Sequence, residues 1–105
     1  MSQQKEIAGK VLSFDDEGFM TDHSAWDPEI ARALAAELEI DLTDRHFLVL
    51  EFMRREFEAN GVAPSLRKIK NDSGVGTKEL YQLFPKGPAK KAARIAGLGK
   101  PEGCI

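Results

Sequence analysis

Cysteine is all but missing from this chain: among 105 residues there is one, Cys104. A single cysteine closes no intramolecular disulfide and does not by itself make a structural zinc site. Histidine is limited to His23 and His46, neither of them near the cysteine or each other in sequence. His46 falls in the first turn of a helix, where a solvated or locally bonded role is the common one. No Gly-rich phosphate loop, nucleophile elbow or metal-ligand cluster is spelled out, so no cofactor or metal is expected. Long apolar runs are missing as well. Phe47-Leu48-Val49-Leu50 is among the longest, against the roughly 20 residues a membrane span needs. Met1-Ser2-Gln3-Gln4-Lys5 lacks the apolar region of a signal peptide. The expected location is therefore cytoplasmic, with no membrane partner.

What is present reads as one globular domain with a modest core: 42% of residues are hydrophobic and 30% charged. The net charge of −2 hides an asymmetry. Residues 1–60 hold six Lys/Arg against fourteen Asp/Glu, whereas residues 61–105 hold nine against three. Such a split points to a polar partner or nucleic acid near the C-terminal half, or to a dipolar surface with no partner.

Turn and cap residues divide the chain. Short β-type apolar pieces in Glu6–Phe14, turn residues Asp15-Asp16-Glu17-Gly18, and Phe19-Met20-Thr21 predict a small N-terminal hairpin. Asp27 is expected to cap a helix opened by Pro28, with Ile30, Leu34 and Leu38 on its apolar stripe and Trp26 stapled onto it. Thr43 caps the longest helix, to about Asn60, and Gly61 stops it. Phe47, Leu50, Met53 or Arg54, and Phe57 follow the spacing of its buried face. Pro64-Ser65 opens a third helix, Thr77 caps a fourth, and Pro88 opens a fifth that ends at Gly97. The predicted fold is mainly α, an orthogonal bundle of about five helices with a small N-terminal β-hairpin and a flexible C-terminal arm. The domain is expected over residues 1–97 and the arm over residues 98–105.

Gly and Pro keep that arm from continuing the helix. Eight residues at ~3.5 Å each reach at most ~28 Å. A thiolate on such a tether suits a carrier, because it attacks a sulfur donor, becomes a persulfide, and yields the outer sulfur to a second nucleophile. Lys100 favours the Cys104 thiolate, while Glu102 and the terminal carboxylate oppose it. The partner's pocket is therefore expected to set the reactivity of Cys104.

The run Leu83-Phe84-Pro85-Lys86-Gly87-Pro88-Ala89-Lys90-Lys91-Ala92 continues through Ile95-Ala96-Gly97-Leu98 and Lys100-Pro101 to Gly103-Cys104-Ile105. It resembles the C-terminal motif of the TusE/DsrC family of sulfur-relay proteins, whose members include gamma-subunit-like partners of dissimilatory sulfite reductase. Asp16-Glu17-Gly18-Phe19 with Trp26, and the stretch near Ala63-Pro64, match less strongly. The resemblance implies a helical fold with a hairpin and an arm whose reactive penultimate cysteine is Cys104. Members that work with dissimilatory sulfite reductase carry a second cysteine eleven residues earlier, at the position of Ala93. The one-cysteine pattern looks like TusE. It implies a donor of TusBCD/DsrEFH type, and as acceptor a tRNA 2-thiouridylase or a dissimilatory sulfite reductase-like enzyme. Gly99 stands where the family usually has proline, and Lys70–Thr77 is shorter than the connection associated with TusE.

Two further expectations come from the residues themselves. Lys86, Lys90, Lys91 and Arg94, with Lys100, flank the base of the arm and are expected to steer docking onto an acidic partner surface. The rival reading is a helix-turn-helix DNA-binding regulator, with residues 65–84 as the two helices and Arg67, Lys68, Lys70 and Lys78 at phosphates. It supplies few base-reading groups beyond Lys78 and Gln82.

Overall fold

The computed structural model of the chain describes residues 3–101. Strands β1 (Gln3–Ile7) and β2 (Lys10–Phe14) form an antiparallel hairpin with Ile7 opposite Lys10 and Gln3 opposite Phe14. Five helices follow: α1 (Pro28–Glu37), α2 (Asp44–Asn60), α3 (Leu66–Asp72), α4 (Thr77–Leu83) and α5 (Pro88–Ile95), with one 3-10 turn at His23–Ala25 before them. This is the predicted helical bundle with its N-terminal hairpin.

The hairpin turns earlier than the sequence reading placed it. Its two-residue loop is Ala8-Gly9, with φ of 51° and 82°, as a primed turn between right-twisted strands requires. Alanine rarely adopts that conformation, so the turn carries no strong local signal. The stronger signal, Asp15–Gly18, makes a second turn. The Asp15 carboxylate accepts from the N–H groups of Glu17 and Phe19, and the chain returns so that Met20 bridges Phe14. Ile7, Leu12, Phe14 and Met20 then pack with Ile30 and Leu34, which joins the hairpin to α1.

The helix starts follow their caps. The Asp27 carboxylate accepts from the Ile30 N–H, with Pro28 in the first turn. The Ser65 hydroxyl accepts from the Lys68 N–H at the start of α3. At α4 the cap position belongs to Gly76, one residue before the expected Thr77. On α2, His46 rather than a carboxylate reaches back: its Nδ1 accepts the Thr43 backbone N–H at 3.0 Å. The other ring nitrogen, Nε2–H, donates to the Leu83 carbonyl at 2.9 Å. His46 is thus a buried strut between the start of α2 and the end of α4.

Helix α5 is the centre of the bundle, touching α1, α2, α3 and α4. Its inner face is Ala89, Ala92, Ala93 and Ile95, all buried, and three alanines let four neighbours approach closely. Leu50 and Met53 of α2, Ile69, Leu80 and Phe84 complete the same core. Each large side chain so buried contributes roughly 1.5–3 kcal/mol.

Candidate functional site

The helix at the centre of the fold is also the one that leads into the C-terminal segment. At its end Gly97 takes φ +74°. Its N–H donates to the Arg94 carbonyl and the Leu98 N–H to the Ala93 carbonyl at 3.0 Å. This paired closure satisfies two of the carbonyls a helix end leaves open. Leu98 then drops into the core and Pro101 is buried. Between them Gly99 is half-buried and Lys100 exposed. Cys104, with Glu102, Gly103 and Ile105, lies outside the described residues.

Two side chains far off in sequence close the remaining carbonyls. Trp26 Nε1–H donates to the Ile95 carbonyl at 2.8 Å. Arg54 donates through Nη1 to the Ala96 carbonyl at 2.7 Å and through Nη2 to the His23 carbonyl at 3.0 Å. The guanidinium lies 4.3 Å from the centroid of the Trp26 ring, within cation–π range. A cation at the C-terminal end of α5 also meets the negative pole of the helix. Partial burial lowers the Arg54 pKa from its ordinary value, and the Glu58 carboxylate opposes the shift. The ring lies so close that a Cβ at Gly97 would come within 2.6 Å of it. Glycine is needed there twice over, for its φ and for its missing side chain.

The basic residues divide into two groups. Arg94 and Lys100 are engaged with the Asp15–Phe19 turn. Arg94 Nη2 donates to the Glu17 carbonyl at 2.6 Å, its guanidinium lies over Phe19, and Lys100 Nζ pairs with Glu17 Oε1 at 3.1 Å. Lys86, Lys90 and Lys91, with Arg94, surround a concavity of about 240 Å³ in which Leu38 also takes part. Four of the five predicted docking residues thus border one concavity, while Lys100 joins Arg94 at Glu17. Ala93 is wholly buried.

Sequence reasoning missed Arg54 and gave Trp26 only a staple role. Met53 and Arg54 fit the same helical spacing equally well, and the structure buries Met53 while Arg54 reaches the end of α5. The available signal was the weaker match at Asp16-Glu17-Gly18-Phe19 and Trp26, whose residues converge on this end of α5. Among the described residues no three of His, Cys, Asp and Glu are grouped to hold a metal ion. No helix among them is long and apolar enough to cross a membrane.

The model of the DsrC like protein family matches residues 6–105. The chain belongs to the DsrC like family. Its relatives include the gamma subunit of dissimilatory-type sulfite reductase from Nitratidesulfovibrio vulgaris, 36% identical over 98 residues that cover 92% of this chain and 93% of that protein. Sulfurtransferase TusE of Pectobacterium atrosepticum is 37% identical over 108 residues, covering 95% and 98%. Among solved structures, the oxidized gamma subunit (DsrC) from Archaeoglobus fulgidus matches with a TM-score of 0.83 at 39% identity, over 98% of this chain and 100% of that one. The solution structure of Allochromatium vinosum DsrC matches at 0.84 and 35%, over the full length of both.

Proposed function

We propose that this protein is a sulfur carrier that holds sulfur as a persulfide on Cys104 and relays it between partner proteins. The observation that carries the reading is the family match, which runs through the C-terminal motif and includes Cys104, with relatives named sulfurtransferase TusE among those of similar length. In the loading step the Cys104 thiolate attacks the outer sulfur of a donor persulfide. The donor S–S bond breaks, the donor leaves as a thiolate, and the new S–S bond is on Cys104. Delivery repeats the exchange with an acceptor thiolate, so no outside oxidant or reductant is consumed.

Ala93 fills the place of a second cysteine, so sulfur has no internal thiol to which it can pass. The donor is a protein complex of TusBCD/DsrEFH type, and the acceptor a tRNA 2-thiouridylase or a dissimilatory sulfite reductase-like enzyme. Lys86, Lys90 and Lys91 steer the encounter with an acidic rim, and the chain beyond Pro101 enters the partner's pocket. Helix α4 argues against the DNA-reading alternative. It has seven residues, its Glu79 is bridged twice by Arg45 at 2.7 and 2.8 Å, and Lys78 is its only basic residue.

The test presents loaded protein to a small thiol, to a 2-thiouridylase with its tRNA, and to no acceptor. Sulfur should stay on Cys104 without an acceptor and leave in stoichiometric amount when a thiol is supplied. Loss at the same rate with and without a thiol would contradict the carrier reading.

A further inference from the structure

The Asp16-Glu17-Gly18-Phe19 stretch and Trp26 play no part in the exchange chemistry, yet they meet the C-terminal motif across 69 to 83 residues of sequence. Glu17 holds Lys100 by its carboxylate and Arg94 by its carbonyl. Gly18 lies against the Arg94 guanidinium, which also covers Phe19. Trp26 holds the Ile95 carbonyl, fills the space beside Gly97, and stacks with Arg54, which holds the Ala96 carbonyl. These contacts cover every step from Arg94 to Lys100 except Gly99 and the buried Leu98.

We infer that residues Asp15–Trp26, together with Arg54, form a collar that fastens the C-terminal segment as far as Pro101, and that the collar is part of the partner's docking surface. The inference rests on the carrier reading for what Cys104 delivers. A tether anchored at Gly97 would place Cys104 seven residues out, about 25 Å at ~3.5 Å each; anchored at Pro101, it is three residues out, about 11 Å. A donor or acceptor that reaches Cys104 on the shorter tether has to come against the collar and the adjoining flank of α5. The partner this fits is a protein whose reactive cysteine lies within about 11 Å of its rim, with an acidic rim to face Lys90 and Lys91. Trp26, Arg54 and Glu17 are then positioning residues that touch no sulfur.

Cys104 is the sole native thiol, so a spin label attaches there alone. With a second label at Glu51→Cys, on the exposed side of α2, pulsed dipolar spectroscopy reads the spread of distances. The collar predicts a spread within about 21 Å, twice the short tether, and a tether anchored at Gly97 predicts about 50 Å. The broader result overturns the inference. The second measurement compares amide exchange at Leu98 with that at Gly61, which bonds to Phe57 at the far end of α2. Trp26→Phe keeps a ring and loses one donor. It should speed exchange at Leu98 about five-fold, the factor set by one hydrogen bond of ~1 kcal/mol, and leave Gly61 unchanged. Equal rates in both proteins, or equal acceleration at both amides, overturns the collar. Should Trp26→Phe not fold, Glu17→Gln and Lys100→Gln, both at exposed positions, carry the same comparison. None of these measurements requires sulfur on Cys104, so their failure leaves the loading of Cys104 standing, and failed loading leaves the collar standing.

Discussion

The two faces of α5 are built for different tasks from residues one position apart. Ala89, Ala92, Ala93 and Ile95 look inward, buried against four other helices. Lys90 is exposed, Lys91 is half-buried, and both border an open concavity in which only Leu38 is apolar. Substitution on the inner face and at the helix end should therefore be read in stability. Substitution on the outer face should be read in association rate, because exposed charges act through steering far more than through folding. The helix that organises the core is thus also the one that leads into the C-terminal segment.

The strongest way to break that division is at the helix end. Gly97→Ala forces an L-residue into positive φ and sets a methyl against Trp26. It should cost about 2–3 kcal/mol, read as a lowered denaturation midpoint. A protein as stable as the original would mean that the Trp26 contact is not tight. On the outer face, Lys90→Glu with Lys91→Glu should leave stability within about 0.5 kcal/mol. At low salt it should slow association with a sulfur donor and weaken the salt dependence of that rate. An unchanged rate would leave the lysines as a solvated face with no docking role.

The smallest effect sits at the hairpin. The Asp27 carboxylate receives the Lys10 ammonium at 2.8 Å and the Ile30 N–H. Both hold its pKa below the ordinary 3.8, the Lys10 hydrogen bond more strongly. A depressed carboxylate stabilises the fold above its ordinary value and loses that contribution as pH falls through the lowered one. Asp27→Asn should therefore narrow the stability gap to the parent protein as pH drops below about 3.8, measured by thermal denaturation across pH. A gap that stays constant to pH 2 would assign Asp27 a purely neutral capping role.

Much of this was legible in the sequence because helix ends are local. Asp27-Pro28, Thr43, Ser65, Gly61 and Pro88 mark boundaries by chemistry within a few residues, and the structure follows them closely. The hairpin was misplaced for the complementary reason: its turn rests on Ala8, a residue with no preference for positive φ. The collar could not be read at all from spacing. Trp26 to Ile95 and Arg54 to Ala96 are contacts across 69 and 42 residues, and they exist only once α5 is in place. Gly97 was legible as the end of the fifth helix, and the Trp26 ring that fills the space beside it was not.

The central claim is that Cys104 alone carries sulfur. Protein incubated with a persulfide-loaded sulfurtransferase, digested and weighed, should gain about 32 Da, one sulfur atom, on the peptide containing Cys104. Cys104→Ser should fold normally and gain nothing. Sulfur on Cys104→Ser, or no sulfur on the native chain with an active donor, would contradict the account.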